Sequence, residues 1–279
     1  MVIDAFRPDY IERFDMENVK ALMHQGTSFP NGIVGHMAAE TVISHSVMTS
    51  GMFPKHMGWS NEVYRDVDNT LGQGAGAYHV TSSMSCDQFR ALSVAGGYPR
   101  LSDYLDRAYP EGKFFAIGQK PTATCTAGHP ADADDSIITF GSRSFDCDGD
   151  NVLDNTWRGL TGANVPTYIS QPVCGRYYVD SDRNLDYGTK TTSPAWMYPL
   201  DGNRFVPGYD PAHLGGDVWI AAIDVIQNEP DWRGMLVSMG DVDKAGHMWG
   251  PDDAGSTGTT DEQAHLKFAT KAGRSFDAV

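Results

Sequence analysis

Asp241, Asp243 and His247 stand close together in Asp241-Val242-Asp243-Lys244-Ala245-Gly246-His247, directly after the apolar run Gly234-Met235-Leu236-Val237-Ser238-Met239. A buried strand that ends in a carboxylate, with an imidazole four residues after it, suits a divalent metal held at the carboxyl edge of a sheet. The chain opens on a similar edge, Met1-Val2-Ile3-Asp4. Two strand-end carboxylates far apart in sequence can meet across one sheet. Between them, Thr41 opens the run Thr41-Val42-Ile43-Ser44-His45-Ser46-Val47-Met48-Thr49-Ser50, which closes on Gly51. A hydroxyl at a helix start lies beside unpaired backbone N–H groups and the positive end of the helix dipole, where a phosphoryl group binds. Lowering its pKa would make it a nucleophile. Taken singly, a Thr at a helix start commonly caps the helix and a strand-end Asp commonly shapes a turn. It is the set that points to chemistry.

The elements needed to hold that set are legible. Helical periodicity runs over Glu17 to His24, Thr41 to Ser50, Leu101 to Ala108 and Val218 to Gln227, and strand-like runs over Phe114 to Ile117, Ser136 to Phe140 and Met235 to Ser238. Strands alternating with helices predict an α/β fold, with a mostly parallel central sheet and helices on both faces. Residues 142–216 break the rhythm with Gly, Asp, Asn, Pro and Tyr. They are expected to form an inserted cap or loop-rich subdomain, leaving 1–141 and 217–279 as the core.

Composition narrows the partners. With 279 residues and 41% hydrophobic content the chain can bury a sizeable core. A formal charge of -15 argues against a nucleic-acid polymer, which needs clustered Lys and Arg. A small phosphoester remains compatible, provided that a metal supplies local positive potential. No apolar stretch approaches the ~20 residues of a membrane span.

With Asp4, Arg7-Pro8, Thr41, Gly51, Phe53-Pro54, His56, Gly58, Asn61, Asp243 and Gly246-His247 in this order, the sequence resembles the alkaline phosphatase superfamily, and within it the type I phosphodiesterase/nucleotide pyrophosphatase branch. The resemblance implies an alkaline phosphatase-like fold and a metal-dependent phosphoester hydrolase acting through a phosphothreonine on Thr41. It implies two divalent ions about 4 Å apart, most simply Zn²⁺ and alternatively Mn²⁺, one bound by Asp4 and Thr41 and the other by Asp243 and His247. Asn61 would donate to a phosphoryl oxygen, although it lies one place nearer the nucleophile than is usual in that branch. Lys120, after a predicted strand, would reach a substrate anion, as a Lys in this region does in some relatives. His45 and His56 are expected to pack and hydrogen-bond. A sulfatase is disfavoured because Cys86-Asp87-Gln88-Phe89-Arg90 lacks the proline of the formylglycine motif. Metal-dependent mutases of the superfamily, which usually present Ser, and a non-catalytic calcium-stabilised scaffold are the other readings.

Asp146, Asp148, Asp150 and Asp154 surround Gly149 and resemble a calcium loop, since alternating carboxylates suit Ca²⁺. A solvated acidic turn is the alternative, because no Glu closes the loop. The four cysteines, Cys86, Cys125, Cys147 and Cys174, have no CxxC spacing, which disfavours a zinc ribbon and allows two disulfides in an exported protein, with three pairings open. Family members continue past the equivalent of Val279 with further metal ligands. The chain is therefore expected to be the amino-terminal portion of a longer protein, and inactive alone.

Overall fold

In the computed structural model of the chain, the described residues are 1–13, 15–32, 35–145, 154–169, 213–240 and 243. The elements run β1 (Val2–Ile3), α1 (Tyr10–Arg13), α2 (Glu17–Gln25), α3 (Thr41–Ser50), α4 (Pro54–Met57), β2 (Val63–Asp66), β3 (Ala77–Val80), a 3₁₀ turn (Thr81–Ser83), α5 (Cys86–Gly96), α6 (Leu101–Ala108), β4 (Lys113–Gly118), α7 (Pro121–Thr124), β5 (Asp135–Phe145), β6 (Asp154–Ala163), α8 (His213–Asn228) and β7 (Trp232–Met239). The central sheet has the order β1-β7-β4-β5-β6. β1, β7, β4 and β5 are parallel and β6 returns antiparallel along β5.

β4 reads as an unbroken apolar run because both faces of a parallel strand are covered. Its side chains alternate between two cores. Phe115 and Ile117, with Val237 and Met239 of β7, pack against Val218, Ala221, Ala222 and Val225 of α8. Those four helical residues recur at the spacing that puts them on one helix face. Phe114, Ala116 and Leu236 point the other way, onto Val42 and Ile43 of α3 and Phe89 and Leu92 of α5. Helices thus cover both faces, as the sequence predicts.

The expected boundary at 141/142 falls inside β5, and that at 216/217 falls inside α8. Among the elements with no counterpart in the sequence reading are α5, the β2–β3 hairpin and β6, a strand of the central sheet within the expected insertion. α5 starts on a capping box, in which Ser85 Oγ accepts from Gln88 N–H and Gln88 Oε1 accepts from Ser85 N–H. The β2–β3 hairpin is held from below by buried Asp66, whose carboxylate accepts from the N–H groups of Thr70 and Leu71 at 2.7 Å each.

Candidate active site

The parallel register brings three strand ends to one level. Ile3 lies beside Met239, and Gly118 lies beside Ser238 on the other side of the same strand. Whatever follows β1, β4 and β7 therefore emerges at one edge. Asp4 follows β1, its N–H donating to Met239 O at 2.9 Å. Ala5, at φ 57°, then turns the chain away through the left-handed region. Gln119 and Lys120 follow β4. Gly118 permits this exit, since a Cβ there would stand 2.7 Å from Thr124 Cγ2 and 2.9 Å from Ser238 O. Buried Gln119 accepts from Gly240 N–H at 2.8 Å, which ties the β4 and β7 exits together ahead of Asp243.

Thr41 arrives from the helix that packs beneath this edge. It is the first residue of α3, and Glu40, extended at φ -96° and ψ 155°, is the N-cap residue. Thr41 therefore does not cap the helix. Its hydroxyl donates to Asp4 Oδ2 at 3.0 Å. The Glu40 side chain does not cap either, and instead accepts from Glu62 N–H at 2.8 Å. The first intrahelical bond runs from Ser44 N–H to Glu40 O, so the amides of Thr41, Val42 and Ile43 lack helical acceptors.

One cation joins these groups. Lys120 Nζ is ion-paired with Asp4, lies 2.5 Å from Asp243 Oδ2 and donates to Thr41 Oγ at 3.2 Å. The side chains of Lys120, Asp4 and Asp243 are only 12%, 14% and 10% exposed. A lysine at a strand exit ordinarily faces water; this one is buried among oxygens.

His45 fixes α3 to the sheet. Its Nδ1 donates to Thr41 O at 2.7 Å. Burial lowers its pKa from the ordinary 6.5, so the ring is neutral near pH 7 and Nε2 accepts from Ser238 Oγ at 2.9 Å. The expectation of hydrogen bonding for His45 matches this geometry. Ser238 and Gln119 carry no chemical signal of their own in the sequence. They matter only because the register places them beside the site.

Asp4 and Thr41 line a cavity of about 680 Å³ together with His36, Ser44, His45, Met48 and Phe53. Asn61 lines a neighbouring one of about 780 Å³ with Met37, Pro54 and Lys55, and the two share Gly35, His36 and Phe53. The Asn61 side chain accepts from Val63 N–H at 3.4 Å. His36, which the sequence reading passed over, lies with Nε2 3.2 Å from Ser44 Oγ at the junction of the two cavities. His247, Asp146, Asp148 and Asp150 lie outside the described residues, and Asp154 is the first residue of β6. Cys86 is bonded to Cys125; Cys147 and Cys174 lie outside the described residues.

Among the described residues no group of three or more His, Cys, Asp or Glu side chains gathers as a metal site. The donor set nevertheless fits a hard or borderline divalent cation. Two carboxylates and a hydroxyl converge on a single positive charge, and oxygen ligands of this kind accept Zn²⁺ or Mn²⁺.

A parallel sheet with carboxylates and a helix-start hydroxyl at its carboxyl edge defines an alkaline phosphatase-like α/β protein. The chain belongs to the type I phosphodiesterase/nucleotide pyrophosphatase family, whose model matches residues 1–266. This is a family of phosphoester hydrolases that typically depend on divalent metals and act on small-molecule phosphoesters. No curated protein and no solved structure gives a significant match. No helix among the described residues is long and apolar enough to cross a membrane.

Proposed function

We propose that this chain is a metal-dependent phosphoester hydrolase in which Thr41 is the nucleophile. The observation that carries the reading is the Thr41 hydroxyl, released from capping and hydrogen-bonded at 3.0 Å to the carboxylate that ends β1. Thr41 Oγ forms a bond to phosphorus as the bond from phosphorus to the leaving oxygen breaks. The hydroxyl proton departs along its hydrogen bond to Asp4. Water then attacks the phosphothreonine, the bond to Thr41 Oγ breaks, and the hydroxyl is restored.

The amides of Thr41, Val42 and Ile43 face the phosphoryl oxygens with the positive end of the helix dipole. Lys120 and Asn61 are assigned to the substrate anion. Asp4 with Thr41, and Asp243 with His247, would hold two divalent ions, zinc in the simplest case, which when bound supply positive charge against that developing on the phosphoryl group. An insertion within residues 142–216, apart from the parts of β5, β6 and α8 that fall there, is assigned to the pocket rim. The Cys86–Cys125 disulfide supports an exported protein, since such bonds persist in oxidising compartments.

The test is an acid quench during turnover of a p-nitrophenyl phosphoester by the protein, followed by peptide mass analysis. Phosphate on Thr41 is the expected result, absent from Thr41→Ala. Turnover in Thr41→Ala within a few-fold of the natural protein overturns the assignment.

A further inference from the structure

Lys120 lies where the metal reading needs a cation. Its ammonium contacts Asp4, Thr41 and Asp243 at once, three of the four residues assigned above as metal ligands. A divalent ion taken up by those oxygens would meet a like charge within about 4 Å, at a buried site where salt screens little. The two cations compete for the same oxygens.

The lysine is built so that only its side chain need yield. Its backbone is pinned as the N-cap residue of α7, with Pro121 next in sequence. Lys120 O accepts from Ala123 N–H, Thr124 N–H and Thr124 Oγ, each at 3.1 Å. The tip sits on a flexible four-carbon stem, a compact charge that readily changes partners. We propose that Lys120 is an exchangeable resident counter-ion. Without divalent metal it holds the two carboxylates and the Thr41 hydroxyl together; metal loading displaces it, and the freed ammonium turns to the phosphoryl anion. Metal uptake thereby prepares the anion site. The inference rests on the assignment of Asp4, Thr41 and Asp243 as metal ligands.

Two measurements on the whole chain test it. Zinc titration against a chromophoric chelator should show Lys120→Gln binding about tenfold or more tightly than the natural chain, because the internal competitor is gone. Amine acylation read by mass spectrometry needs no variant. Lys120 should be modified several-fold faster with zinc than without, while exposed Lys55 is unchanged. If Lys120→Gln does not fold, the labelling decides. Zinc binding with unaltered affinity in the variant, or with Lys120 equally protected in both states, overturns the exchange and leaves the metal assignment standing. Failure of zinc to bind either protein overturns both.

Discussion

The two ends of the central sheet both bury charge, and they use it differently. At the carboxyl edge, Lys120 is matched directly by Asp4 and Asp243, and the Thr41 hydroxyl completes the group. At the amino end, Asp135 opens β5, beside Phe114 near the start of β4. There the guanidinium of buried Arg100 goes to the backbone, donating to Cys125 O at 2.8 Å and to Gly128 O. Asp135 accepts from His129 N–H, and its pKa is pushed up to about 7, chiefly by burial. Burial likewise pushes Arg100 down to about 10. One cluster sets Asp4, paired with Lys120, and the Thr41 hydroxyl on the wall of a cavity. The other spends polar groups on holding the loop that leads from α7 to β5. Buried charge alone therefore does not mark a site; what distinguishes the candidate site is a helix-start hydroxyl and a cavity beside the ion pairs.

The sharpest break is Thr41→Ala. It should lower turnover by about a thousandfold or more while the melting temperature stays within about two degrees. Activity and thermal melts on one sample check this. The opposite profile is expected from Arg100→Met. Two buried carbonyls lose their donor, and stability should fall by about 3 kcal/mol in chemical denaturation, with activity per folded molecule retained.

Asp135 tests the comparison through pH. Below its ordinary value of 3.8 the carboxyl is protonated whether folded or not. Between 3.8 and about 7 the folded chain holds a proton that the unfolded chain has released, so stability falls as pH rises through this window. The slope is at most ~1.4 kcal/mol per pH unit. Asp135→Asn should flatten that dependence and be relatively more stable at pH 8 than at pH 5, as read from denaturant midpoints. Ser238→Ala is the smallest change. It removes a hydroxyl donor from His45 Nε2, and should cost ~1 kcal/mol with at most a few-fold loss of turnover.

The sequence carried much of this architecture because the physics behind it is local. β4, β7 and α3 were legible from apolar runs bounded by a carboxylate or a glycine, and α8 from its periodicity. α5 was harder: its buried positions are sparse, and Ser85 with Gln88 at capping-box spacing was the usable signal. The β2–β3 hairpin hides because each strand has four residues and the loop between them is long and glycine-rich. Within the site, Asp4 and Thr41 were legible as types in context. The Lys120 contact with Asp4, spanning 116 residues, was not. It depends on β7 lying between β1 and β4 in register, which no local pattern encodes. Packing and hydrogen bonding were expected of His45, but that its partner is Ser238 is likewise a product of strand order.

Glu40 has a consequence for how this protein tolerates changes of length. Its backbone caps α3 while its carboxylate grips Glu62 N–H, next to Asn61. The loop carrying Asn61 is thus moored to the residue before Thr41. Surface loops usually absorb an added or deleted residue, because their ends are free to readjust. Here an insertion or deletion between Gly58 and Glu62 either breaks the mooring or drags the start of α3 with it, so a change in loop length is transmitted to the position of the Thr41 hydroxyl.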